Sequence, residues 1–107
     1  MNESNILKIY AEETVDILEV LREEIEMFFE CPQDRHLIQL IDDDLSEIEA
    51  KSNLLGIKAI GGAAHRLHEH LDKMISKNSR MDVIELSKML KEIDDVEGEL
   101  KHYRIAG

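Results

Sequence analysis

Four blocks of helically spaced apolar residues, each ended by a helix-breaking stretch, constrain the fold of this chain more than any other feature. Within each block an apolar side chain recurs every three or four residues, which is the period of one face of an α-helix. The first block ends at Pro32, the second near Asn53 and Gly56, and the third at "SKNSRMD". The pattern predicts helices over residues 5–30, 34–54, 57–77 and 82–104.

The short connections between the blocks predict how these helices are arranged. A connection of a few residues returns the chain antiparallel to the helix that it leaves. The composition agrees with helices, since the 107 residues include one proline and no tryptophan. We therefore predict an all-α, antiparallel up-and-down four-helix bundle that forms a single domain over residues 1–107.

The apolar stripes also predict the core, and polar residues at the block boundaries predict the helix caps. The expected N-caps are Ser4 or Asn5 for the first helix, Asp34 for the second, and Ser79 or Asp82 for the fourth. Side chains expected to face inward include Ile6, Leu40, Ile41, Leu45, Ile48 and Leu55 of the first two helices, Ile57, Ile60, Ala64, Leu67 and Leu71 of the third, and the methionines Met27, Met74, Met81 and Met89.

The charge balance excludes two classes of partner. Twenty-four acidic and thirteen basic side chains give a net charge of −11, which repels nucleic acid and anionic membranes. The chain has no apolar run long enough to span a bilayer, and its first residues, "MNESNILKIYAEE", lack the pattern of a signal peptide. The single cysteine, Cys31, is interpreted as a loop thiol in a reducing compartment. We expect a cytoplasmic protein.

Enzyme motifs are missing from the sequence. It contains no Walker or dinucleotide-binding glycine motif and no arrangement of Ser, His and Asp typical of a nucleophile. Gly61 and Gly62 are expected to allow close contact between helices rather than to bind phosphate. We therefore predict neither an enzyme nor a cofactor.

The second and third blocks contain "LIQLIDDDLSEIEAKSNLLGI" followed by "GIKAIGGAAHRLHEHLDKM". In these stretches, and in the number and length of the helices, the chain resembles histidine-containing phosphotransfer (HPt) domains, above all the one at the front of chemotaxis histidine kinases. The second helix of that family carries a phosphoaccepting histidine, then a lysine and a glycine, with another glycine ten residues beyond the histidine. With Gly56 on that last glycine, Ser46 stands where the family has histidine, Glu49 where it has lysine, and Ala50 where it has glycine.

The resemblance implies a role in a two-component phosphorelay, and these three differences imply that phosphotransfer is lost. A serine hydroxyl lacks the nucleophilic nitrogen of imidazole, and Glu49 repels a phosphoryl group that lysine would attract. We predict a pseudo-HPt module that binds a histidine kinase, a response-regulator receiver or a scaffold protein, in an oligomeric state that the sequence leaves open. The candidate partner-binding residues are Asp43, Ser46, Glu47, Glu49, Lys51, His65, His68 and Glu69.

An active phosphocarrier is the alternative interpretation. "AAHRLHEHL" can itself be aligned with the family motif, which makes His65 the phosphoacceptor. His68 is a second possibility, because it lies where chemotaxis kinases place a glutamate that orients the histidine. In that arrangement Glu47 or Glu49 would polarise the His68 ring. The run Asp42–Asp44 is interpreted as a solvated helix face.

Metal binding is the remaining alternative for the histidines. His65 and His68 are three residues apart, and each has an acidic residue four positions later, Glu69 and Asp72. One helix face supplies too few ligands, whereas metal sites in bundles draw on several helices. A metal-binding bundle therefore stays a lesser alternative. No metal site is predicted, and the histidines, including His36 and His102 near helix ends, are expected to lie on the surface.

Overall fold

A computed structural model shows four helices and no strand in the part of the chain that it describes, which is residues 3–105, with side chains from 5 to 103. The helices are α1, Glu3–Glu30; α2, Arg35–Leu54; α3, Lys58–Ser76; and α4, Val83–Ile105. Helix α1 packs against α2 and α4, and α3 packs against the same two helices. The bundle measures 46 × 21 × 20 Å. The predicted all-α four-helix bundle is confirmed, with helix ends within two residues of the predicted ones.

The core contains one stripe of side chains from each helix, as the periodicity predicts. In α3 the predicted stripe from Ile57 to Met74 is buried throughout. The most completely buried aliphatic side chains are Leu18, Leu21, Ile25, Ile41, Leu45, Ile48, Ile60, Leu71, Ile93 and Leu100. Because each of these residues lies one to three turns from the next on its helix, they share one side, and the opposite side of every helix is free for polar residues.

Four residues predicted to be buried are exposed instead. Met27 is 56% exposed. It projects outward from α1, whereas Ile25 and Phe28 close to it in the chain face the core. Leu40 is 38% exposed, since it points about 100° away from buried Ile41. Ile6 and Leu55, at one end of the bundle, are 41% and 37% exposed. The other predicted core methionines, Met74, Met81 and Met89, are buried.

Helix α2 ends in a Schellman motif at Gly56, close to the predicted position. Gly56 has a φ of 73°, in the left-handed region that favours glycine. The Ile57 N–H donates to the Ser52 carbonyl at 2.8 Å, and the Gly56 N–H donates to the Asn53 carbonyl at 3.1 Å. Helix α3 ends in the same way at Asn78, whose φ is 53°. These two turns return the chain along the bundle.

Side-chain caps begin α2 and α4. The Asp34 carboxylate accepts a hydrogen bond from the Leu37 N–H at 3.1 Å, as predicted. Asp82 and Glu85 form a reciprocal capping box, in which each carboxylate accepts from the other residue's N–H at 2.8 and 3.2 Å. The predicted cap of α1 is wrong, because this helix begins at Glu3 and contains both Ser4 and Asn5.

The two glycines of α3 have different surroundings. A Cβ atom on Gly61 would lie 2.5 Å from Asn53 Oδ1, so this glycine allows α3 to approach α2 closely, as predicted. A Cβ atom on Gly62 would meet only the Arg66 side chain of its own helix, at 3.5 Å. The same prediction for Gly62 is therefore wrong.

Candidate functional site

The outer side of the α2–α3 pair carries a group of histidines and carboxylates that we call the histidine face. On α2 it consists of Asp42, Ser46 and Glu49, which lie four and three residues apart and so share one side of the helix. The buried residues Ile41, Leu45 and Ile48 next to them hold α2 in this rotation. On α3 the histidine face consists of His65, His68, Glu69 and Asp72, which lie beside the buried Leu67 and Leu71.

His65 is held by a carboxylate on each ring nitrogen. Its Nδ1 lies 3.1 Å from Glu49 Oε1 on α2, and its Nε2 lies 2.6 Å from Glu69 Oε1 on its own helix. Hydrogen bonding and charge from Glu49, followed by Glu69, raise the pKa of His65 above its ordinary value. Although the Glu69 contact is shorter, the side chain of Glu49 is 27% exposed and that of Glu69 is 56% exposed, so solvent screens Glu49 less. When the ring is charged, each nitrogen carries a hydrogen and donates a hydrogen bond to its carboxylate.

His68 is arranged differently, since two carboxylates approach one ring nitrogen. The His68 Nε2 contacts Asp42 Oδ1 of α2 and lies 3.9 Å from Asp72 Oδ2 of α3. The His68 side chain is 23% exposed, against 56% for His65. One potential ligand atom from each of Asp42, His68 and Asp72 lies within 4.8 Å of the others.

Ser46 lies midway between these two clusters on the exposed side of α2. Asp42, one turn before it, contacts His68, and Glu49, one turn after it, contacts His65. Its hydroxyl makes no hydrogen bond to the side chains described from residue 5 to residue 103. The imidazoles nearest in register to Ser46 are therefore on the facing helix.

The other predicted partner-binding residues lie on a neighbouring side of α2. Asp43 is exposed and accepts a hydrogen bond from Gln39 at 2.8 Å. Glu47 and Lys51 form an ion pair at 2.9 Å, which raises the pKa of Lys51. The predicted partner-binding residues therefore form two groups. Asp43, Glu47 and Lys51 form a ridge beside the histidine face, and the others lie on that face.

Two interpretations made from the sequence need correction. Glu47 and Glu49 do not contact His68, because Glu47 pairs with Lys51 and Glu49 with His65. The carboxylate on His68 is that of Asp42, which was interpreted as part of a solvated run. The spacing of Asp42, Ser46 and Glu49 indicates that they share one side of α2. Which histidine each carboxylate contacts depends on the rotation of α3, which the spacing does not give.

A second polar pair, buried Glu24 of α1 and half-buried Asp44 of α2, was not predicted. Glu24 Oε1 and Asp44 Oδ2 are buried, and no N–H or O–H group of the described residues donates to either oxygen. Burial, then the hydrogen bond and the charge of Asp44, raise the pKa of Glu24 to about 8. Glu24 therefore keeps its proton at neutral pH, which lets its carboxyl group donate a hydrogen bond to Asp44.

An apolar patch at the end of the bundle adjoins Lys51. Ile6 and Ile9 of α1 and Leu54 and Leu55 around the end of α2 line an open hollow of about 260 Å³ there. Leu54 is 86% exposed. Exposed apolar clusters of this kind are typical of surfaces that bind another molecule.

Comparison of the chain with protein-family models, with curated proteins and with solved structures finds no match. Within residues 3–105, no helix combines the length and apolar character needed to cross a membrane.

Proposed function

We propose that the chain is an HPt-like domain that binds a partner of a two-component phosphorelay and carries no phosphate itself. The observation that supports this most is the histidine face. Ser46 is exposed at mid-α2, at the position where the resembling family has its phosphoacceptor, and the two nearest imidazoles are engaged by carboxylates.

The chemistry of phosphoryl transfer explains why this arrangement is unsuited to it. An acceptor imidazole needs a nitrogen with a free lone pair and a surrounding that tolerates the incoming negative charge. His65 uses both nitrogens as donors to Glu49 and Glu69, whose carboxylates favour its charged form. Ser46 has carboxylates one turn away on both sides and no imidazole bonded to it, so it lacks a base to activate its hydroxyl.

One observation favours the alternative of an active carrier. A carboxylate that accepts a hydrogen bond from one nitrogen of a neutral imidazole fixes the tautomer and leaves the lone pair on the other nitrogen, and Asp42 is placed in this way on His68. The ring of His68 is three-quarters covered, and the Asp72 carboxylate adds a second negative charge beside it. Both features oppose the approach of a phosphoryl group, so binding without transfer is the better-supported function.

The proposed docking surface is the histidine face together with the ridge of Asp43, Glu47 and Lys51. Its charge is mainly negative, and such a surface selects a partner with a complementary basic face. The apolar patch beside Lys51 extends the surface with groups that gain from burial. A histidine kinase, a receiver or a scaffold protein with basic residues around an apolar centre fits this description.

The docking proposal is tested by NMR titration of the isotopically labelled chain with a panel of receiver and histidine-kinase domains. Binding is expected to shift amide signals of α2 and α3 around Ser46. Glu69→Lys, in the histidine face, is expected to weaken binding about tenfold or more, as loss of a charge in a complementary interface does. Glu23→Lys makes the same charge reversal at an exposed site on α1 and is expected to bind normally. Shifts confined to α1 and α4, or equal losses in the two variants, would contradict the proposal.

A further inference from the structure

We infer that Asp42, His68 and Asp72 form a binding site for a first-row divalent metal ion, with Zn²⁺ as the best-matched ion. Two of the ligands come from α3 and one from α2. This removes the objection raised by the sequence, that a single helix face supplies too few ligands. The inference does not depend on the proposed function.

Convergence on one nitrogen distinguishes this cluster from its neighbour. His65 places its two carboxylates on opposite ring nitrogens, which is how a charged imidazole satisfies both of its N–H groups. At His68 both carboxylates lie on the side of Nε2. That nitrogen carries either one hydrogen or one lone pair, so it cannot serve two carboxylates fully. A cation between the three groups would be bound by all of them.

The distances need only a small adjustment to reach metal-ligand geometry. Zinc binds imidazole nitrogen and carboxylate oxygen at about 2.0–2.2 Å, which puts two tetrahedral ligands about 3.3 Å apart. The three ligand atoms here lie within 4.8 Å of one another. The side chain of Asp72 is 63% exposed, so no packed neighbour opposes a turn toward His68, and Asp42, which contacts the ring directly, has to draw back from Nε2 to admit the ion.

The ligand set also indicates the class of ion. Imidazole suits Zn²⁺, Co²⁺ and Ni²⁺, whereas Mg²⁺ and Ca²⁺ prefer oxygen ligands alone. Three protein ligands leave at least one position for water or a partner's side chain. Since the ligands span two helices, a bound ion would link α2 to α3 one turn from Ser46.

The test is isothermal titration of the chelator-stripped full chain with Zn²⁺ in the presence of millimolar Mg²⁺, together with visible absorption spectra of the Co²⁺ form. We expect one ion per chain and Co²⁺ absorption bands typical of nitrogen and oxygen ligands. Asp42→Asn, His68→Gln and Asp72→Asn are each expected to weaken binding at least tenfold, since each removes one of three ligands. His65→Gln is the matched control and is expected to bind normally.

Circular dichroism checks that each variant is folded. Should His68→Gln unfold, the exposed Asp72→Asn substitution decides the question. The inference is overturned if the wild-type chain does not bind, if Mg²⁺ displaces the ion, or if binding survives in a folded ligand variant. It is also overturned if His65→Gln abolishes binding.

Discussion

At the residue scale, two imidazoles one turn apart on α3 differ in how carboxylates meet their ring nitrogens. His65 bridges Glu49 and Glu69 through separate nitrogens, and His68 presents one nitrogen to Asp42 and Asp72. The first arrangement stabilises a charged ring, and the second brings together a ligand set. The chemistry of each histidine is therefore decided by the rotation of α3 against α2.

The titration of His65 tests this assignment. Glu49→Gln is expected to lower the pKa of His65 toward its ordinary value, and by more than Glu69→Gln does, because Glu49 is the less exposed carboxylate and the larger cause of the raised pKa. NMR titration of the ring signals measures both shifts. Glu47→Gln, which removes a carboxylate that pairs with Lys51 instead, is the control and is expected to leave His65 unchanged. A larger effect from Glu69→Gln would contradict the assignment.

The sequence predicted the residues of this face better than their pairing. Helical spacing placed Ser46, Glu49, His65, His68 and Glu69 on α2 and α3, and the structure brings them to one surface. It did not predict that Asp42 contacts His68. Contacts across helices depend on how two helices are rotated against one another. The two glycines of α3 predicted a close approach, but only the structure shows that Gly61, and not Gly62, faces α2.

At the element scale, the ends of the helices were predictable wherever one residue type dominates the local geometry. Proline, glycine in the left-handed region and a side-chain cap each act within a few residues. The sequence therefore predicted the helix ends at Pro32, Asp34, Gly56 and Asp82. The exposure of Ile6, Leu40 and Leu55 was not predicted. Burial of Ile6 and Leu55 depends on whether a neighbouring helix extends far enough to cover them, and burial of Leu40 depends on the rotation of α2.

Replacement of Gly56 tests the turn that connects α2 with α3, and replacement of Gly98 in α4 is the control. Gly56→Ala is expected to lower the free energy of unfolding by about 1 kcal/mol, because alanine is strained at a φ of 73° even where its Cβ meets no atom within 4 Å. Gly98→Ala, in the middle of α4 and equally uncrowded, is expected to raise it by up to about 1 kcal/mol. Urea unfolding of the two variants measures both changes. A stabilised Gly56→Ala chain would contradict the left-handed turn.

At the scale of the whole molecule, the bundle combines a net charge of −11 with a carboxyl pair inside its α1–α2 interface. Glu24 has a pKa raised to about 8, so the folded chain keeps a proton on it that the unfolded chain releases near the ordinary value of 4.5. A carboxyl group whose pKa is raised by folding makes the folded state less stable as pH rises through that interval. The contribution of Glu24 to stability is therefore expected to fall from about pH 4.5 to about pH 8 and then to level off.

Glu24→Gln is expected to remove this part of the pH dependence. The amide has a similar shape, donates to Asp44 at every pH, and eliminates a slope of up to about 1.4 kcal/mol per pH unit. At pH 8 the variant should exceed the wild-type chain in stability by an amount on the order of a few kcal/mol. Urea unfolding between pH 5 and pH 8 measures the difference. Glu23→Gln, an exposed neighbour on α1, should follow the wild-type curve, and equal slopes in all three chains would refute the raised pKa of Glu24.

The central claim is the proposal that this bundle is HPt-like and carries no phosphate. Its most direct test is incubation with a histidine kinase and radiolabelled ATP. The wild-type chain is expected to acquire no acid-labile, base-stable label. The triple variant Ser46→His, Glu49→Lys, Ala50→Gly, which introduces the residues of the resembling family, is expected to become labelled because it places an imidazole beside a cation on the exposed side of α2. Label on the wild-type chain that disappears in His65→Gln or His68→Gln would contradict the claim, and an unlabelled triple variant would contradict the alignment of Ser46 with the phosphoacceptor.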